Sequence, residues 1–129
     1  MELNINFAPM NTSSGVLKII ESTDEYILVK IYASRLDMKN NLSLREITNE
    51  DKGYNGQSVI LDMEVVEYLD SSTIGTFLTL ERRLRELASS LVLLNTVKKI
   101  HELLRITGIV DKFISVDSLE EALEAISQS

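Results

Sequence analysis

Two short aliphatic runs, Ser58-Val59-Ile60-Leu61-Asp62-Met63 and Leu91-Val92-Leu93-Leu94-Asn95, limit the fold more than any other feature of the chain. Each is too short for a helix and too uniformly apolar for a strand with one wet face, so each reads as a strand covered on both sides. Between them Phe77, Leu80, Leu84 and Leu87 recur at i, i+3, i+7 and i+10. That spacing predicts a helix over residues 72–88 with one apolar stripe, leaving Arg82, Arg83 and Arg85 off it. Two covered strands joined by a helix form the right-handed crossover of a parallel sheet, with residues 58–63 at its centre.

The flanking segments extend this pattern. Residues 16–20 and 26–32 are β-branched and aromatic runs separated by Glu21-Ser22-Thr23-Asp24-Glu25, which predicts a β-hairpin. Residues 40–50 carry Leu42, Leu44 and Ile47 at loose helical spacing before the turn-rich Asp51-Lys52-Gly53-Tyr54-Asn55-Gly56. Ile100, Leu103 and Leu104 predict a helix over residues 98–107, with Gly108 placed for a left-handed C-cap. Residues 113–116 read as a further strand. Ser118-Leu119-Glu120-Glu121 is a capping box opening a last helix that runs to about residue 126. The first fifteen residues hold the only proline, Pro9, and are expected to form a flexible extension, with the folded domain spanning residues 16–129.

Composition removes whole classes of function. With no cysteine and His101 as the only histidine, thiolate chemistry, disulfides and multi-histidine metal sites fall together. At 129 residues there is room for one domain, and a net charge of −7 with seven aromatics and no tryptophan argues against nucleic acid as a partner. No aliphatic run approaches the roughly 20 residues of a membrane span, so no membrane insertion and a cytoplasmic location are expected.

In an open parallel sheet, ligands and partners gather where strands end and helices begin. The junction after the first covered strand, residues 62–76, carries Asp62, Glu64, Glu67 and Asp70 with no base. It then presents three consecutive hydroxyls, Ser71, Ser72 and Thr73. On local chemistry Asp70 is an N-cap, just as Asp117-Ser118 caps the last helix. Ile74 and Leu78 lie roughly 90–130° from the centre of the apolar stripe, either as an exposed docking patch one turn from Ser71 or as shoulders of the core.

The order and spacing of Leu69-Asp70-Ser71-Ser72, Leu84-Arg85-Glu86-Leu87, Leu103-Leu104-Arg105-Ile106-Thr107-Gly108 and Asp117-Ser118-Leu119-Glu120-Glu121 resemble the STAS domain of bacterial anti-sigma factor antagonists. Ser34-Arg35-Leu36-Asp37 is similar to that family's Gly-x-Leu-Asp element. The resemblance spans residues 16–126. It implies an α/β fold, a STAS-like mixed β-sheet with an initial hairpin, later strands parallel and about four helices. It also implies a non-enzymatic switch with no cofactor. The unmodified protein would bind an anti-sigma factor that is also a serine kinase, releasing a sigma factor; phosphorylation at Ser71 would end that binding and a serine phosphatase would restore it. Ser72 and Thr73 are the secondary acceptors. Partner contacts are assigned to Asp37, Asp62, Glu64, Glu67, Asp70, Ser72, Thr73, Ile74 and Leu78, in a monomer or weak dimer. Thr73 and Ser34 stand where the family has glycines, and a β-branched Thr73 beside the acceptor bears on whether and where it is modified.

Three other readings are carried forward. Ser71 with His101 as base would make a hydrolase, although no Gly-x-Ser-x-Gly elbow is present. Asp62, Glu64 and Asp70 would make a metal or phosphoryl-transfer site, although no base occurs between Asn55 and Glu81. A non-phosphorylated STAS subunit of a stressosome-like or lipid-transport assembly shares the fold and differs only in partner. Charge is uneven as well: residues 61–80 and 113–129 each hold four acids and no base, leaving a sum of +1 elsewhere. Residues 81–112 carry seven bases against four acids.

Overall fold

A computed structural model describes residues 15–128. The expected extension, apart from Gly15, lies outside the described residues. Val16 is already buried, and its carbonyl accepts from the Tyr32 amide at 2.6 Å.

The two leading runs form a hairpin of β1 (Leu17–Ser22) and β2 (Tyr26–Ile31), closed by Thr23, whose Oγ1 accepts from the Glu25 and Tyr26 amides. A bulge between Ile19 and Glu21 interrupts the pairing. The covered runs become β4 (Ser58–Asp62) and β6 (Leu91–Leu94), and β7 (Ile114–Val116) completes a five-stranded sheet of order β1-β2-β4-β6-β7. Only β1 runs antiparallel to its neighbour.

Full burial of Val59, Ile60 and Leu61 follows from layers on both faces of β4. Val59 and Leu61 join Phe77, Leu80 and Leu84 of α2 (Ser71–Glu86) and Ile100 and Leu104 of α3 (Lys98–Ile106) in the main core. Ile60 faces the other way, with Val92, Leu94 and Ala122 of α4 (Leu119–Ser127). Phe77 and Phe113 meet edge to face at 6.2 Å, a favoured aromatic geometry.

Some expectations are revised. Leu87 does not continue the buried stripe: it is the C-cap of α2 and 41% exposed. Ala88 then takes a left-handed φ of 59°, and the Ser89 and Ala88 amides donate to the Leu84 and Arg85 carbonyls, closing a Schellman motif without glycine. Residues 40–50 form no continuous helix. They make one α-helical turn, α1 (Leu42–Arg45), and 3₁₀ turns at Glu46–Thr48 and Glu50–Lys52. No side chain caps α1, and Asn49 adopts an extended backbone to cap the next turn. The capping box of α4 is displaced by one residue: Ser118 accepts from the Glu121 amide, but the Glu121 carboxylate accepts from Asp117 rather than from Ser118.

The element with no periodic signal is a second, two-stranded parallel sheet of β3 (Arg35–Leu36) and β5 (Tyr68–Leu69). Leu36 and Leu69, paired within it, are its buried residues. It brings the turn after β3 against the start of α2.

Candidate functional site

Asp70 emerges from β5, its amide donating to the Leu36 carbonyl at 3.2 Å. As N-cap of α2, its Oδ1 accepts from the Thr73 amide at 2.9 Å and from Ser72 Oγ at 2.8 Å. Its Oδ2 accepts from the Met38 amide at 3.1 Å, so the cap also fastens the turn after β3. Desolvation pushes the Asp70 carboxyl up, but the hydrogen bonds from Ser72, Thr73 and Met38 outweigh it and hold the group below the usual carboxylate range.

Asn41 supplies the other half of the junction. It is buried, and its Nδ2 donates to Ser72 Oγ at 2.9 Å and Thr73 Oγ1 at 3.0 Å. The preceding turn places it there: the Asp37 carbonyl accepts from the Asn40 and Asn41 amides, and Asn40 Oδ1 accepts from the Asp37 amide. Asp37 turns inward for this task, its carboxylate accepting from Arg35 Nε at 3.1 Å and the Lys39 amide at 2.9 Å.

The three consecutive hydroxyls therefore differ. Thr73 is fully buried, and Ser72 is half-buried with its hydroxyl held between Asp70 and Asn41. Ser71 is exposed, and among the described residues no hydrogen bond engages its hydroxyl. Burial removes Thr73 from the open surface. The Thr73 side chain lies within the fold, its Oγ1 accepting from Asn41.

Ile74 and Leu78 are half-buried and pack on the main core, so they are its shoulders and not an exposed patch. The exposed apolar side chains of the flanking segments are Met38 at 75% and Val65 in turns, Leu42 at 62% opening α1, and Tyr68 in β5. Tyr68 also carries the Arg35 guanidinium over its ring at 3.9 Å.

Asp62 and Glu64 do not join the Asp70 network. Asp62 ends β4 and Glu64 follows in the turn, and Lys30 of β2 reaches Asp62 at 3.5 Å and Glu64 at 3.2 Å. The Glu64 hydrogen bond, against desolvation, holds the Lys30 ammonium above its usual range. Glu67 is exposed, and its amide donates to the Ser34 carbonyl at 2.7 Å. The tally of four acids and no base along the chain thus misses Lys30 and Arg35, which tertiary structure brings in. Among the described residues no group of three or more carboxylate or imidazole side chains is placed to hold a metal ion. His101 is exposed on α3, and no hydrogen bond links it to Ser71. Asn41, Met38 and Lys30 were missed by sequence reasoning, and only the consecutive asparagines at 40 and 41, typical of side-chain-stabilised turns, offered a signal.

A mixed sheet opened by a hairpin, with a hydroxyl-rich helix start after its central strand, defines an α/β domain of the STAS type. The chain belongs to the STAS domain family, whose model matches residues 17–122. Its fold is similar to that of an anti-sigma-factor antagonist (STAS) domain protein from Planctomyces limnophilus, at 19% identity and TM-score 0.72 over 86% of this chain and 97% of the other. The unphosphorylated form of SpoIIAA, a Bacillus anti-sigma factor antagonist, is similar at 20% identity and TM-score 0.69, over 88% and 97% of the two chains. Murine Slc26a9, an anion transporter, contains a comparable domain: TM-score 0.68 and 19% identity over 84% of this chain but 19% of the transporter. No curated protein sequence matches the chain. Among the described residues no helix is long and apolar enough to cross a membrane.

Proposed function

We propose that this domain is an anti-sigma factor antagonist of the cytoplasm. Its unphosphorylated form binds an anti-sigma factor that is also a serine kinase, and phosphorylation of Ser71 ends that binding. The observation that carries this reading is the contrast within one block: Ser71 is exposed and unengaged, whereas Ser72 and Thr73 are tied to Asp70 and Asn41. A kinase can reach Ser71 without opening the junction.

The partner would seat on the surface around the start of α2, drawing on Met38, Leu42, Tyr68 and Val65, which are exposed, as are Ser71 and Glu67. A phosphate at the first residue of a helix is tolerated by the free amides there, so modification leaves the fold intact. Its charge of about −2 would add to Glu67 and Asp70 at the rim and repel an acidic or desolvating partner surface. No residue is assigned a catalytic role, and no cofactor is required.

Incubation with candidate anti-sigma kinases and ATP, followed by mass spectrometric mapping, tests the reading. Modification at Ser71 with loss of kinase binding is expected, and Ser71→Glu should bind as poorly as the modified protein. If no kinase binds and Ser71, Ser72 and Thr73 all stay unmodified, the domain is instead a non-phosphorylated subunit of a larger assembly. The transporter-borne relative of the same fold is what keeps that second reading in view.

A further inference from the structure

Beside α2, on the side of α1 and the first 3₁₀ turn, lies a groove of about 500 Å³, a volume suited to a small metabolite. Arg45 and Arg83 line it together with Ser72, Gly75, Thr76 and Thr79, and the carboxylates of Glu46, Glu50 and Asp51 lie in an adjoining hollow that the two arginines also border. Arg45 is exposed and makes no ion pair among the described residues. Arg83 is braced by the Thr48 carbonyl at 3.0 Å and faces Glu50 at 3.7 Å, a mostly solvated and therefore weak pairing. Its Nε is buried without a hydrogen-bond partner, which native structures seldom leave in that state.

The hydroxyls add direction. Thr76 Oγ1 donates to the Ser72 carbonyl at 3.1 Å and Thr79 Oγ1 to the Gly75 carbonyl at 3.0 Å. Thr76 is buried and only borders the groove, whereas Thr79 is exposed; with its hydrogen committed to the helix, the Thr79 oxygen offers only lone pairs to a ligand. Two guanidinium forks suit a dianionic phosphate better than a single carboxylate, which one fork satisfies.

We propose that this groove binds a small hydroxylated phosphate monoester, with its phosphate between Arg45 and Arg83 and a hydroxyl donating to Thr79. The site is separate from the partner-switching reading and does not depend on it.

Titration of the full chain with glycerol 2-phosphate at constant ionic strength, followed by amide NMR, is the test, with glycerol and sodium chloride as controls. Saturable shifts centred on Gly75, Thr76 and Thr79 are expected from the phosphate ester alone. Arg45→Glu should weaken binding at least about tenfold. Gly75→Leu should do the same by filling the groove, because a Cβ built on Gly75 meets nothing within 4 Å and the helix keeps its packing. Arg85→Glu, at a position paired with Glu81 outside the groove, should leave affinity unchanged. Shifts that never saturate, or equal affinity in folded Arg45→Glu and Gly75→Leu, would overturn the proposal.

Discussion

At the residue scale, Asn41 and Asp70 decide which hydroxyl is free. One amide group serves both Ser72 and Thr73, so Asn41→Ala leaves a buried threonine oxygen without its donor. A loss of about 1–3 kcal/mol is expected in urea unfolding, since a stranded buried polar group costs that much. A value near zero would mean that water replaces the amide. Asp70 carries a pH signature. Its folded pKa lies below the ordinary value, so its stabilising contribution is present above the ordinary carboxylate pKa and disappears as pH falls through the lowered one. Asp70→Asn keeps an oxygen for the Thr73 amide, but an amide nitrogen at the other position cannot accept from Met38. The variant should therefore melt below the parent at pH 7 and approach it as the pH is taken down through the lowered carboxyl range, measured by thermal scans at a series of falling pH values. A constant gap would contradict the assignment.

At the element scale, the two helix ends compare directly. Both α2 and α3 close with a Schellman motif, α3 through Gly108 at φ 79° and α2 through Ala88 at φ 59°. A left-handed alanine costs about 1 kcal/mol that glycine avoids, partly offset by the greater freedom of glycine in the unfolded chain. Ala88→Gly should thus raise stability by roughly 0.5 kcal/mol, read from the urea midpoint at constant m. The α2 stripe was legible because Phe77, Leu80 and Leu84 obey helical spacing, and the covered strands because nothing in them alternates. Leu87 obeyed the same spacing yet lies past the end of the helix, where direction of the chain and not periodicity sets exposure. The β3–β5 pair was illegible: two-residue strands carry no period, and their pairing joins segments more than thirty residues apart.

At the scale of the whole molecule, charge is redistributed by folding. Asp62 and Glu64 were counted with Glu67 and Asp70 as one acidic edge, but Lys30 pairs with the first two, while half-buried Asp70 keeps its charge under hydrogen bonds from neutral donors. Glu67 remains as the unpaired rim charge, so Glu67→Lys should change the partner's association rate and its salt dependence with little effect on stability; an unchanged rate at low salt would mark Glu67 as bystander surface. The arrangement of α/β elements, the hairpin, the central position of β4 and the helix start at Asp70-Ser71 were determined by the sequence itself, because apolar period and capping chemistry act between residues close along the chain. Which of three adjacent hydroxyls stands free, which acids are neutralised and where two arginines share a groove were decided only by tertiary structure. Each depends on a group such as Asn41, Lys30 or Arg45 that is distant in sequence and is set in place by the packing of the sheets against α2.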